Sequence, residues 1–93
     1  MTRFEFDPAK NALNSVGHGV ALAAVFDFEW DHAVIDEDQR KNYREVRYRA
    51  IGQVKGRVHV LVFAIRSDVF RIISLRKANR REERYYVRTI RMP

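Results

Sequence analysis

The sequence has no cysteine, only two prolines and four glycines in 93 residues. Without cysteine there is no disulfide staple and no thiolate metal site, so apolar burial must hold the fold alone. No apolar run approaches the ~18 residues that cross a bilayer, and the N-terminus lacks a signal-peptide pattern. A cytoplasmic protein with no membrane association is the simplest reading. The glycines build no phosphate-cradling loop, no two histidines stand at metal-ligand spacing, and no Ser-His-Asp or Cys-His set can be assembled. Neither a metal nor a cofactor is expected. The length fits one small domain, residues 1–93, with a single modest core.

Charge, by contrast, is plentiful and unevenly spread. The formal net charge is +6, yet residues 1–43 carry four Lys/Arg against eight Asp/Glu, and residues 44–93 carry fourteen against four. The first part is therefore −4 and the second +10. A basic half attracts phosphate polymers through counterion release and steering, so nucleic acid leads as partner and an acidic protein segment follows. A merely solvated surface is the alternative.

Along the chain, Arg3 to Phe6 alternates polar with aromatic and suits a short strand. Asp7-Pro8 opens a helix whose stripe Ala9, Ala12, Leu13 and Val16 is expected to face the core, and Gly17 and Gly19 around His18 should stop it. A second short helix is expected over Val20 to Phe26, with Leu22, Val25 and Phe26 inward and no capping side chain at Ala21. Phe28 and Trp30 read as packing residues. Asp36, Glu37 and Asp38 read as an exposed acidic loop within a polar stretch to Asn42, since they lack the ordered spacing of a calcium loop.

From Tyr43 the period becomes two, with Val46, Tyr48, Ala50, Gly52 and Val54 inward and Glu45, Arg47, Arg49 and Gln53 outward. Lys55-Gly56 turns the chain into Arg57 to Arg66, apolar on both faces and therefore the central strand; His59 within it reads as a packed or edge histidine. Ser67-Asp68 turns again into a strand over Val69 to Leu75, anchored by Val69, Ile73 and Leu75. Asn79 and Glu82 have capping-box spacing at the start of the last helix, which docks through Tyr86 and Ile90 while Arg80, Arg81, Arg84 and Arg88 stay wet. Helices packed on an antiparallel meander make an α+β domain.

Metal-free RNA cleavage is open to such a chain. It requires a base to deprotonate a ribose 2′-hydroxyl, cations to stabilise the phosphate's extra charge, and an acid for the departing 5′-oxygen. Arginines can supply the second role and His, Glu or Tyr the others. From composition alone, a basic, non-catalytic nucleic-acid-binding module is the simpler reading.

Four stretches narrow these readings: FEFDPAKNALN at Phe4 to Asn14, HGV at His18 to Val20, RYRAIG at Arg47 to Gly52, and RIISLRKANRREERYY at Arg71 to Tyr86. Together they resemble the BrnT family of bacterial toxins across nearly the full length. The resemblance implies a RelE-like fold, a twisted antiparallel sheet carrying two N-terminal helices and one C-terminal helix. It implies a ribonuclease toxin that blocks translation, neutralised by a BrnA-type ribbon-helix-helix antitoxin with which it represses its own operon, touching operator DNA only through that complex. His18 is implied as base or acid, only histidine titrating near neutrality unaided, with a helix-capping role as the alternative. Arg71 and Arg76 are implied as the clamp on the scissile phosphate, and Arg47, Ser74, Lys77, Arg80, Arg81 and Arg84 as RNA-binding groups. Tyr86 is a proton donor or a packing residue. Members usually carry lysine just before HGV, where this chain has Gly17; a catalytically weakened relative acting mainly as antitoxin partner is the corresponding alternative. One geometric demand follows. Arg71 and Arg76, an odd number apart, share a strand face only if a bulge intervenes or the strand ends early.

Overall fold

The period-two and doubly apolar runs from Tyr48, Arg57 and Val69 become strands, and the turn pairs between them set their order in the sheet. The computed structural model describes residues 3–40 and 44–91. Its elements are β1 (Arg3–Glu5), α1 (Pro8–His18), two 3-10 helices (Leu22–Asp27 and Trp30–His32), β2 (Val34–Glu37), β3 (Tyr48–Val54), β4 (Arg57–Arg66), β5 (Val69–Lys77) and α2 (Arg80–Arg91). The strands form one sheet in the order β1-β5-β4-β3-β2, so β4 is central, as its two apolar faces require. The hairpin turns use positive φ at both central residues, 49° and 79° at Lys55-Gly56 and 48° and 66° at Ser67-Asp68, the geometry that matches strand twist.

The class is α+β, but the sheet is mixed rather than antiparallel. β1 runs parallel to β5, pairing Arg3 with Val69 and Glu5 with Arg71. The two strands are not consecutive: α1, the 3-10 helices and β2 to β4 lie between them in the chain, so no tight turn forces them antiparallel. Asp36 and Glu37, expected in an exposed acidic loop, instead end the edge strand β2, which pairs antiparallel with β3. Asp38 just beyond it is buried and takes a two-pronged bond from Arg40 at 2.8 and 2.9 Å. Among the described residues no three His, Asp or Glu gather to hold a metal ion. The expected strand start at Tyr43 and loop end at Asn42 lie outside the described residues, and β3 itself begins at Tyr48.

Helix α1 is capped as read: Asp7 Oδ1 accepts from the Ala9 N–H at 2.8 Å, and Gly19 adopts φ 70° past its end. Its packing is reversed, however. Leu13 and Val16 are 69% and 87% exposed, Ala9 and Ala12 are exposed too, and the side turned inward carries Asn11 and Asn14. The reason is the open edge of β5 beyond the three residues that β1 covers. Asn14 Nδ2 donates to the carbonyls of Leu75 and Val20, both at 2.6 Å, and its Oδ1 faces the Leu75 N–H at 3.5 Å. A carboxamide thus occupies the place of a neighbouring strand's backbone, which an apolar side chain could not do. Asn11 Oδ1 accepts from Ala23 N–H at 3.1 Å, supplying the cap that Ala21 lacks.

The second helical segment is 3-10, so residues three apart share a side. Leu22, Val25 and Phe28 point inward and Phe26, expected inside, is 66% exposed. With Ala50, Leu61, Phe63, Ile72 and Leu75 they fill the core on one face of the sheet, and Trp30 meets Phe28, Phe63 and Phe70 edge-on at 4.9 to 5.4 Å. On the other face, Ile51, Val60 and Ala78 pack against Tyr86 of α2. His59 is packed, as expected, with Nδ1 2.7 Å from the Arg57 carbonyl, and burial holds its pKa below the usual histidine range.

Candidate functional site

The pairing of β4 with β5 contains the irregularity that the arginine spacing demands. Val62 pairs with Ser74 and Phe63 with Ile72, leaving Ile73 as an extra residue in β5. Strand alternation shifts by one there. Ile72 and Leu75 therefore both enter the core, rather than Ile73 as the regular spacing predicts. By the same shift Arg71, Ser74 and Arg76, opposite Ala64, Val62 and Val60, come to one face of the sheet. Arg49 of β3 joins them, being paired with Val62 from the other side. Small and apolar β4 side chains form the floor between these walls, and α2 covers only the end of this face around Ile51 and Val60.

Two grooves open along this face. The first, about 300 Å³, is lined by Lys10, Arg44, Glu45, Arg47, Arg66, Arg71 and Ile73. Glu45 accepts from Arg66 Nε at 2.8 Å, and that bond holds its carboxyl below the usual range. The second, about 530 Å³, is lined by Arg49, Asn79, Arg81, Arg84, Tyr85 and Arg88 around Glu82. Both lie in the size range of small-ligand clefts.

Glu82 connects the strand to the helix. Its N–H donates to Asn79 Oδ1 at 2.8 Å and its Oε1 accepts from the Asn79 N–H at 2.9 Å, completing the capping box. The same carboxylate takes Arg76 Nη1 and Nη2, both at 2.8 Å. This fork holds the Glu82 carboxyl at about 2 and raises the Arg76 guanidinium, each through the charged hydrogen bond to the other. At such a value Glu82 is a poor proton acceptor at neutral pH, so its role is to position Arg76.

The remaining expected residues divide. Arg47 and Arg71 share the first groove, and Arg81 and Arg84 the second. Lys77 pairs with His59 and alternates to the face opposite Arg76, and Arg80 is exposed at the start of α2, lining neither groove. His18 is exposed at the last position of α1 and lines neither groove. Tyr86 is 2% exposed and sits in the core under α2, where burial raises its phenol's pKa. Lys10, Arg44 and Arg66 were not singled out by sequence, and Arg49 was read only as part of a basic outer face. They come from separate segments, and only the register of β3, β4 and β5 gathers them.

Residues 6–82 match the family model described as "Ribonuclease toxin, BrnT, of type II toxin-antitoxin system". The chain belongs to the BrnT family. The match spans α1, the bulged β5 and the capping box to Glu82, and stops before Arg84 and Tyr86. A BrnT-family chain is a ribonuclease toxin of a type II toxin–antitoxin system, with RNA as substrate and an antitoxin as partner. No curated protein matches this BrnT member. No helix among its described residues is long and apolar enough to cross a membrane.

Proposed function

We propose that this chain is a RelE-like, metal-independent endoribonuclease toxin of the cytoplasm that cuts RNA on the face carrying Arg71, Ser74 and Arg76. The observation that carries the reading is the bulge at Ile73, which brings these three side chains to one side of the sheet. A base removes the ribose 2′-proton, the 2′-oxygen attacks the adjacent phosphorus, and the 5′-oxygen leaves with a proton from an acid. The products are a 2′,3′-cyclic phosphate and a 5′-hydroxyl. Arg71 stabilises the charge that develops on the phosphate, with Arg76 held ready by Glu82. Arg47 in the first groove and Arg49, Arg81 and Arg84 in the second hold flanking phosphates, and Lys77 and Arg80, outside both grooves, contact RNA that runs past the junction of β5 and α2.

His18 is the proton-transfer group in this reading. What supports it is its position four residues beyond Asn14, on the same side of α1. Lys10 lines the groove beside Ile73 and Asn14 binds Leu75, so α1 follows β5 toward Lys77 and His18 comes next on that path. Tyr86 has a packing role. The partner is a BrnA-type antitoxin with a ribbon-helix-helix part, and the complex represses its operon by binding operator DNA.

Purified protein incubated with RNA in excess chelator tests this. Fragments ending in cyclic phosphate, reduced at least ~100-fold by Arg71→Ala, are the expected result; RNA left intact at high protein excess overturns the enzymatic reading. Gly17 favours a second reading, of a weakened enzyme acting mainly by binding its antitoxin. A side chain added at Gly17 meets no atom within 4 Å, so lysine fits there. Gly17→Lys is then expected to raise cleavage, and an unchanged rate removes that explanation.

A further inference from the structure

The fold leaves the apolar side of α1 unused. Ala9, Ala12, Leu13 and Val16 fall on one face of the helix, all exposed, with Leu13 at 69% and Val16 at 87%. Asn11 and Asn14 attach the opposite face to the rest of the molecule. An amphipathic helix turned outward in this way exposes what a partner could bury, and the composition of its border identifies the partner. Lys10, one turn before Leu13, lines the first groove together with Arg44, Arg47, Arg66 and Arg71. The apolar stripe therefore continues into a basic groove.

We propose that the outward face of α1 is a docking surface for the antitoxin, and that its occupant is an amphipathic segment with apolar side chains over Leu13 and Val16. Carboxylates on that segment reach Lys10 and the first groove, so docking on the helix also covers Arg71. The proposal rests on the reading that a cognate antitoxin neutralises this chain. Charge selects this occupant over a second copy: each copy carries +6, and pairing through this face would bring two basic grooves together. The stripe offers a phosphate nothing to bind, which argues against RNA there.

The test uses the protein encoded by the gene adjacent to this one, titrated into the full chain. Leu13→Glu combined with Val16→Glu is expected to weaken binding by about 100-fold or more, while RNA cleavage and melting temperature stay as in the parent. Leu13→Gln with Val16→Gln, which adds no charge, should lose at least tenfold and serves where the Glu pair lowers the melting temperature. Unchanged affinity in a folded variant overturns the surface and leaves the antitoxin reading standing. If the neighbour's product fails to bind the parent, the antitoxin reading itself fails and takes the surface with it. A parent that sediments as a dimer, and becomes a monomer in either variant, assigns the face to a second copy and overturns the proposal.

Discussion

Glu82→Gln separates the two tasks of one carboxylate. Glutamine still accepts the Asn79 N–H, so the cap on α2 is preserved, but the charge that holds Arg76 is gone. The Glu82 carboxyl titrates at about 2 in the fold against 4.5 in the open chain. That difference of about 2.5, at ~1.36 kcal/mol per pH unit, amounts to about 3 kcal/mol at neutral pH. Arg76 is 32% exposed and Glu82 15%, and solvent screening trims this to about 2 kcal/mol. For a domain of this size the loss lowers the melting temperature by roughly 8–16 °C at pH 7. The sign fixes the pH window. Because the folded pKa is depressed, the unfolded chain binds the extra proton, and the stabilisation is complete above 4.5 and lost as pH falls toward 2. Urea unfolding followed by circular dichroism at pH 7, 4.5 and 3 should therefore show the variant's deficit shrinking to about half or less by pH 3. A deficit equal at pH 7 and 3 would refute the charge-based account and leave only lost packing.

Three further outcomes follow from particular contacts. Gly52→Ala places its methyl 2.7 Å from Phe28 Cζ and should destabilise by about 1–3 kcal/mol in urea unfolding; Gly52→Ala together with Phe28→Leu should recover part of that loss. Asn14→Ala strands two buried carbonyls and is expected to cost about 3 kcal/mol, and Asn14→Asp should fare no better, because both 2.6 Å contacts require a donor. Since burial lowers the His59 pKa, its neutral ring contributes stability above 6.5 that is lost as pH falls through the folded value; His59→Leu should flatten the stability profile just below pH 6.5, and an unaltered slope would assign that proton uptake to another group.

The local signals in the sequence located β4, both hairpin turns, the Asp7 and Asn79 caps and the core role of Phe28 and Trp30, because each depends on neighbours within a few residues. Helix α1 shows the limit of that reasoning. Its periodicity identifies an apolar side correctly but says nothing of which side meets the sheet, and the open edge of β5 decided in favour of Asn14. β2 escaped because VIDE is short, mostly exposed and defined by its pairing with β3. The odd spacing of Arg71 and Arg76 posed the right question, and the answer needed the register against β4. Lys10, Arg44 and Arg66 carried no local signal at all, since they reach one groove from α1, from the approach to β3 and from the end of β4.

The hydrogen bonds on the basic face divide its cations into two kinds. Arg66 is held by Glu45 and Arg76 by Glu82, each through a bond of 2.8 Å, so part of their charge is already answered within the fold. The side chains of Arg71 and Arg49 make no hydrogen bond or ion pair among the described residues, although Arg71 feels the charge of Glu45 and Arg49 that of Glu82 in the two grooves on either side of the β4 floor. Both are more available to a phosphate than Arg66 and Arg76, and Arg76 also links β5 to the cap of α2. Removing Arg71 should therefore affect RNA far more than stability. Removing Arg76 should unsettle the start of α2 first, because Glu82 is then left largely buried without the charge that offsets its desolvation. A loss of RNA cleavage in an Arg76 variant consequently identifies a chemical role for that residue only when the variant's fold has been shown intact.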